Sequence, residues 1–216
     1  MPSPRLLLAP VAAVLLAGGA AGCVGIDAGP TTSDARDVAA FTRVRADDRV
    51  DVTLRTGEQR RVVVRTGEKV IDDVHTEVRG GVLNVSYDGP GIRDGRILVE
   101  ATAPELDAVE VIGSGDMLLD GVDLDTLDVR VTGAGDVSAS GRVGRLTLDV
   151  SGAGDAELAD LAAGSARVEV SGSGDADVRA ARELDAEVRG AGDVLYRGDP
   201  VVRRDVSGAG EIEHAG

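Results

Sequence analysis

Apolar and polar residues alternate in six short segments spread over the second half of the chain. Each segment places a valine two residues before a glycine and a charged residue directly before that valine. The valines are Val111, Val131, Val150, Val170, Val188 and Val206, and the charged residues are Glu110, Arg130, Asp149, Glu169, Glu187 and Asp205. Strict alternation predicts strands that bury one face and expose the other.

A repeated tetrapeptide, Gly-x-Gly-Asp, follows each of these strands. Its first glycines are Gly113, Gly133, Gly152, Gly172, Gly190 and Gly208, at spacings of 20, 19, 20, 18 and 18 residues, and the last copy ends in glutamate. Alternation resumes after each copy, and no amphipathic run of helix length separates the copies. Successive strands must then stack in parallel about 4.8 Å apart. The pattern therefore predicts an all-β fold, a single-stranded right-handed parallel β-helix with coils, or rungs, of about 19 residues.

Residue types at the turns and at the chain end support this interpretation. Glycine tolerates positive φ and lets stacked backbones approach closely, and aspartate accepts hydrogen bonds from turn amides. In the last rung, Arg204 and His214 replace apolar residues of inward columns. A polar terminal repeat is typical of an end cap.

The first part of the chain suggests an export leader and an irregular start of the β-helix. Residues 1–22 combine Arg5, a short apolar run and small residues, which predicts a signal peptide. Residues 23–37 lack an apolar period and are expected to form a flexible tether. Residues 38–216 are predicted to form one β-helix domain, with irregular rungs and a cap over 38–105 and regular rungs over 106–216. Val70 to Val78 has the spacing of a short helical turn.

The only cysteine directly follows the leader. Ala20-Ala21-Gly22-Cys23 resembles a bacterial lipobox, in which the cysteine becomes diacylglyceryl-modified after cleavage. The alternative is an ordinary cleaved signal with an incidental cysteine. A lone thiol in an exported chain favours the lipoprotein, so we expect an exported protein held on the membrane by a lipid on Cys23.

Composition narrows the classes of partner. The formal net charge is −15, with 38 acidic against 23 basic residues, and becomes −16 once the leader with Arg5 is removed. Such an acidic surface repels nucleic acid and anionic lipid. Two tyrosines, one phenylalanine and no tryptophan also disfavour a stacking platform for sugars or bases.

Five short motifs precede the later Gly-x-Gly-Asp rungs in a characteristic order. They are Phe41-Thr-Arg-Val44, Val50-Asp-Val-Thr-Leu54, Gly81-Val-Leu-Asn-Val85, Ala103-Pro-Glu-Leu106 and Val111-Ile-Gly-Ser-Gly-Asp116. This order resembles the family of bacterial envelope proteins described as "putative auto-transporter adhesin, head GIN domain". The resemblance covers about residues 38–214. It implies a β-helix on an exported or lipid-anchored protein, and it carries over no catalytic residues.

The acidic residues of the six tetrapeptides form the one group of side chains that the sequence suggests for binding or catalysis. Asp116, Asp136, Asp155, Asp175, Asp193 and Glu211 should line one edge of the β-helix. Their mutual repulsion, roughly 0.9 kcal/mol per neighbouring pair in water, requires compensation. Turn amides are the favoured source, and a bound Ca²⁺ is the alternative, so no cofactor or metal site is assigned.

Two classes of function fit these observations. The first is a non-enzymatic envelope module, adhesin-like or scaffolding, that binds a cell-surface glycan or an envelope protein. The second is a carbohydrate-active β-helix enzyme, a lyase or hydrolase of extracellular polysaccharide, which would need two placed carboxylates. Because the acidic residues recur evenly in every rung, the first class is favoured. The isolated His75 and His214 are expected in surface or cap roles.

Overall fold

A computed structural model describes residues 25–215, so the predicted signal peptide and Cys23 lie outside the described residues. The described chain is built almost entirely of β-strands. In chain order, the strands are β1 (Ile26–Asp27), β2 (Thr31–Arg36), β3 (Arg43–Ala46), β4 (Val50–Thr56), β5 (Arg61–Gly67), β6 (Val74–Arg79), β7 (Val82–Tyr87), β8 (Ile92–Asp94), β9 (Ile97–Ala103), β10 (Ala108–Val111), β11 (Met117–Val131), β12 (Val137–Val150), β13 (Ala156–Val170), β14 (Ala176–Val188), β15 (Val194–Arg197), β16 (Val201–Val206) and β17 (Ile212–His214).

The strands of the second half stack in parallel, one rung on the next. The order β10–β11–β12–β13–β14 continues into β16 on one side of the coil and into β15 and β17 on another. The predicted valine column is in register throughout: Val111 pairs with Val131, and the pairing continues through Val150, Val170, Val188 and Val206. The parallel β-helix expected from the repeat is thereby confirmed.

Each regular rung bends between two sheet-forming stretches. β11 pairs with β12 over Met117–Leu119 and again from Val122 to Val131, with an irregularity between them. At the bend, Gly121 has a φ of 65°, a conformation that glycine adopts without steric cost. We call the second stretch the long side of the rung, because it runs on to the next Gly-x-Gly-Asp corner.

The first half of the chain joins the same stack. β3 pairs with β10 on one side and β7 on the other, and β4 pairs with β11 and β9, all in parallel. Antiparallel strands close this end: β6 covers β7, β5 covers β9, and β2 covers β5.

Two local predictions for the first half differ from the structure. From residue 25 on, the segment expected to be a flexible tether contains β1 and β2, and all six residues of β2 pair with β5. Polar side chains do not prevent strand pairing here, because β2 covers an edge that would otherwise leave backbone groups of β5 unpaired. Of the predicted helical turn, only Ile71–Asp73 forms a 3-10 turn, and Val74 to Val78 lies in β6.

The core is a continuous aliphatic column inside the coil. Val131, Val150, Val170 and Val188 are fully buried, whereas the matching Val206 of the last rung is 45% exposed because no further rung covers it. Flat layers of Val, Leu and Ala fill the interior, which explains why so few aromatic residues are required. Full burial of one Val or Leu side chain contributes about 1.5–3 kcal/mol.

Candidate functional site

The glycines of each corner are in contact with the backbone of the preceding rung. A Cβ atom on Gly152 would lie 2.0 Å from the carbonyl oxygen of Gly133, and one on Gly172 would lie 1.9 Å from that of Gly152. None of the corner glycines has a positive φ. Glycine is therefore required at these corners because stacked backbones approach closely, and not because the corners adopt a positive φ.

The corner aspartates form a hydrogen-bonded ladder along one edge. Each carboxylate accepts a hydrogen bond from the backbone N–H of the acidic residue in the next rung. The N–H of Asp136 donates to Oδ1 of Asp116 over 3.1 Å, and the N–H of Asp175 donates to Oδ1 of Asp155 over 2.8 Å. The bonds from Asp155 to Asp136, from Asp193 to Asp175 and from Glu211 to Asp193 are each 2.8 Å long. Amide donors thus stabilise the row of negative charges, and the donors belong to the next rung.

The ladder starts one rung earlier than the repeat does. The N–H of Asp116 donates to Oδ1 of Asp51 over 3.1 Å, so Asp51 is the first member of the ladder. The sequence analysis missed it because the first corner has no Gly-x-Gly. The signal was the position of Asp51 directly before Val52, which pairs with Met117. Asp48, in that first corner, adopts the left-handed conformation, with a φ of 64°.

The ladder offers no preformed cation site in the described part of the chain. Within residues 25–215, no three His, Cys, Asp or Glu side chains are grouped so as to hold a metal ion. The six corner carboxylates considered for Ca²⁺ in the sequence analysis instead lie in single file, one per rung, on the exposed surface. Whether a cation binds between them is tested by the melting experiment described below.

The outward residues of the long sides form an extended face of paired charges. Nε of Arg130 lies 3.6 Å from Asp149, and Nη1 of Arg167 lies 2.9 Å from Asp185. Arg189, beside this face, bridges Glu169 and Glu187. We call this surface the long face; its outward residues are Thr126, Asp128, Arg130, Arg145, Thr147, Asp149, Ser165, Arg167, Glu169, Glu183, Asp185, Glu187, Val201, Arg203 and Asp205.

A shallow acidic depression lies on another side of the coil. It is lined by Glu157, Asp160, Asp177 and Arg197, among others. Burial raises the pKa of the Asp177 carboxyl, against the effect of Arg197. Arg197 holds both oxygens of this carboxyl, with N–O distances of 2.9 and 3.2 Å. The most buried acid of this depression, Asp177, is therefore already paired with a basic side chain.

An arginine covers the C-terminal end of the core. Arg204 occupies the inward column of the last rung, where its guanidinium donates to the hydroxyl of Tyr196 and, over 3.3 Å, to the carbonyl oxygen of Ile212. The same guanidinium stacks on the Tyr196 ring at 5.2 Å from its centroid. The His214 ring lies 5.0 Å from the Tyr196 ring, and its Nε2 is 2.9 Å from the carbonyl oxygen of Gly198. Both residues predicted to cap the last rung therefore meet at this end.

The remaining candidates are scattered. His75 is exposed and pairs with Asp88 over 2.9 Å, far from His214 in the fold. Cys23 lies outside the described residues, so its expected role as the lipid attachment site stays a prediction. No helix within residues 25–215 is long and apolar enough to cross a bilayer.

These features define a parallel β-solenoid whose rungs are joined by glycine contacts and an aspartate ladder. The chain belongs to the family described as "Putative auto-transporter adhesin, head GIN domain", whose model matches residues 40–200. No curated protein matches the chain in sequence.

Solved structures share the fold. A putative adhesin from Bacteroides fragilis NCTC 9343 is 22% identical, with a TM-score of 0.72 over 88% of this chain and 100% of its own. A putative lipid binding protein from Parabacteroides distasonis ATCC 8503 is 19% identical, with a TM-score of 0.54 over 89% of this chain and 100% of its own. A putative adhesin from Parabacteroides merdae ATCC 43184 is 16% identical, with a TM-score of 0.53 over 88% and 98%. At these identities the likeness concerns the fold alone.

Proposed function

We propose that the protein is a non-enzymatic module of the bacterial cell envelope, lipid-anchored through Cys23, that presents the long face to a cell-surface glycan or an envelope protein. The family supports an adhesin-like role, and the lipobox-like Ala20-Ala21-Gly22-Cys23 supports export and anchoring.

The use of the corner carboxylates is the observation that carries this proposal. From Asp51 to Asp193, each accepts a backbone N–H from the next rung. A row of acids that joins consecutive rungs acts as a scaffold, and it leaves the outer faces as the surface available to a partner. The long face suits this role because it extends over several rungs and is lined with side chains of both signs.

A binding screen tests the long face. The mature chain with Cys23→Ser would be applied to cell-wall preparations and a glycan array, and retention and turnover would both be measured. Retention without turnover supports the module, whereas turnover of any polysaccharide would favour the lyase or hydrolase and direct attention to Asp177 and its neighbours.

Paired substitutions locate the binding surface. Arg145→Glu changes the long face, and Arg179→Glu changes an exposed arginine on a different stretch of the rung. We expect Arg145→Glu to reduce retention several-fold and Arg179→Glu to leave it unchanged. Equal effects of the two variants would refute the long face as the binding surface.

The anchor is tested separately in cells. The modified N-terminal peptide should have the mass of a diacylglyceryl cysteine, and Cys23→Ala should move the protein from the membrane fraction to the medium. An unmodified Cys23 would refute anchoring without affecting the binding result.

A further inference from the structure

A depression lies at the N-terminal end of the β-helix, where the described chain begins. Glycines line much of its wall, and Arg49 and Arg93 flank it as exposed side chains. The glycines are Gly25, Gly89, Gly91 and Gly113. Neither the family nor the ladder gives this depression a role.

The start of the described chain is fixed at this depression. The N–H of Ile26 donates to the carbonyl oxygen of Gly91 over 2.7 Å, and β1 pairs with β8. A Cβ on Gly25 would lie 2.8 Å from the backbone nitrogen of Arg93. Cys23 is two residues before Gly25 in the sequence, and two extended residues span at most about 7 Å. A lipid on Cys23 would therefore hold the depression close to the headgroups of the bilayer.

The side chains of the depression suit an anionic headgroup. Guanidinium groups bind phosphate oxygens through two parallel hydrogen bonds. The depression that the two arginines flank has a volume of about 840 Å³. Nη1 of Arg49 is 3.5 Å from the carbonyl oxygen of Ile92. The acid in the wall, Asp48, accepts the N–H of Tyr87 over 3.4 Å.

The distribution of charge along the chain favours an orientation in which the N-terminal end of the β-helix, and not the C-terminal end, faces the membrane. Residues 25–105 hold 12 basic and 15 acidic residues, a net charge of −3, whereas residues 106–216 hold 10 basic and 23 acidic residues, a net charge of −13. The negative potential of an anionic membrane therefore repels the second half much more strongly than the first, over a Debye length of about 8 Å at physiological salt.

We propose that this depression docks on anionic phospholipid headgroups, with Arg49 and Arg93 binding their phosphates and the axis of the β-helix directed away from the bilayer. The proposal rests on the proposed lipid anchoring, because Cys23 supplies the attachment that brings the depression to the membrane. The free C-terminal end, with Arg204, then faces outward.

The experiment uses two properties of the sequence, its single cysteine and its lack of tryptophan. The mature chain, beginning at Cys23, is coupled through that thiol to a maleimide lipid in vesicles containing a dansyl-labelled headgroup. One reporter is Ala134→Trp and the other is Ala209→Trp; both are exposed middle residues of Gly-x-Gly corners, four rungs, or about 19 Å, apart. Energy transfer from each tryptophan to dansyl then reports its height above the membrane.

On vesicles containing phosphatidylglycerol, we expect at least twofold more transfer from Ala134→Trp than from Ala209→Trp. The double variant Arg49→Ala with Arg93→Ala, and independently Arg93→Glu, should reduce this difference by half or more. The control pair Arg142→Ala with Arg179→Ala, two exposed arginines outside both the depression and the long face, should leave it unchanged. Thermal unfolding verifies that each variant is folded.

Three results would overturn the docking: equal transfer from both reporters, the same difference on purely zwitterionic vesicles, or no effect of the Arg49 and Arg93 variants. Chemical coupling bypasses the modification machinery of the cell. Failure of anchoring in cells and failure of docking on vesicles are therefore separate outcomes.

Discussion

Each corner of the β-helix makes two kinds of contact with a neighbouring rung. The glycines lie against carbonyl oxygens of the preceding rung, as Gly172 does against Gly152. The aspartate carboxylate accepts an N–H from the following rung, as Asp155 does from Asp175. Glycine and aspartate therefore recur together, because each corner must fit against one neighbour and hydrogen-bond to the other.

Adding a methyl group at a corner glycine should destabilise the fold. In Gly172→Ala the new Cβ would lie 1.9 Å from a backbone oxygen that cannot move without shifting a strand. We expect a loss of about 1–3 kcal/mol or more, measured by chemical denaturation. Ala153→Ser is the matched control at an exposed corner position, where other rungs carry Ser114 and Ser173; equal loss in both variants would contradict the close-approach explanation.

Removing a ladder carboxylate should cost more than neutralising it. Asp155→Ala removes the acceptor of the Asp175 N–H, and we expect a loss of about 1 kcal/mol in the free energy of unfolding. Asp155→Asn retains a carbonyl oxygen at the same place, so its loss should be smaller. An asparagine variant as unstable as the alanine variant would indicate that the charge, and not the hydrogen bond, matters.

The sequence predicted the members of the regular ladder but not their partners. The Gly-x-Gly-Asp repeat located Asp116 to Glu211, because equal spacing puts equal residues side by side. The repeat could not show that each amide donor belongs to the next rung. Amides of the same turn could donate to the aspartate equally well, and the sequence would be identical in both cases. Asp51 was missed because its corner lacks the Gly-x-Gly signature. Asp48, with a positive φ, stands there in place of a glycine.

At the scale of the elements, the two ends of the stack are closed differently. The N-terminal end is covered by antiparallel strands, β6 on one side and β2 with β5 on another. The C-terminal end has β16 and β17 as its last strands, with the Arg204 side chain lying over the core. Charged residues on an edge strand disfavour pairing with another chain.

Replacing the arginine at that end should promote association. Arg204→Leu places an apolar side chain at the open end and removes the donor to the carbonyl oxygen of Ile212. We expect a larger mass in light scattering after size-exclusion chromatography than for the unsubstituted chain. Arg203→Leu, an outward neighbour on the same strand, is the control. If neither variant associates, the cap role of Arg204 is wrong.

The strand found in the expected tether should contribute to stability. β2 pairs with β5 over six residues, and Arg36 donates to the carbonyl oxygen of Ile71 over 2.9 Å. A chain beginning at Val38 should melt several degrees below one beginning at Gly25, because the edge of β5 is uncovered. Coincident melting curves would show that β2 is dispensable.

This strand could not be predicted from alternation. Thr31–Arg36 has no apolar face to bury, so its pairing depends on the edge that β5 presents, a tertiary feature. The regular rungs are the opposite case, since their valine column alone defined strand, face and register.

At the scale of the whole molecule, the paired charges of the long face and the aspartate ladder predict that the folded protein is stable without metal. We expect melting curves in calcium and in chelator to coincide, because amide N–H groups already compensate the corner carboxylates. A rise in melting temperature with calcium, abolished in Asp155→Asn, would instead establish the cation site that the sequence left open.

The ladder contacts reach only from one rung to the next. A duplicated stretch such as residues 152–171 would present its own glycines and aspartate to both neighbours, so every existing bond would be kept and one set added. The height of the molecule can then change in steps of about 4.8 Å without redesign of the ends. Gene duplication could in this way set how far from the cell the outermost residues reach.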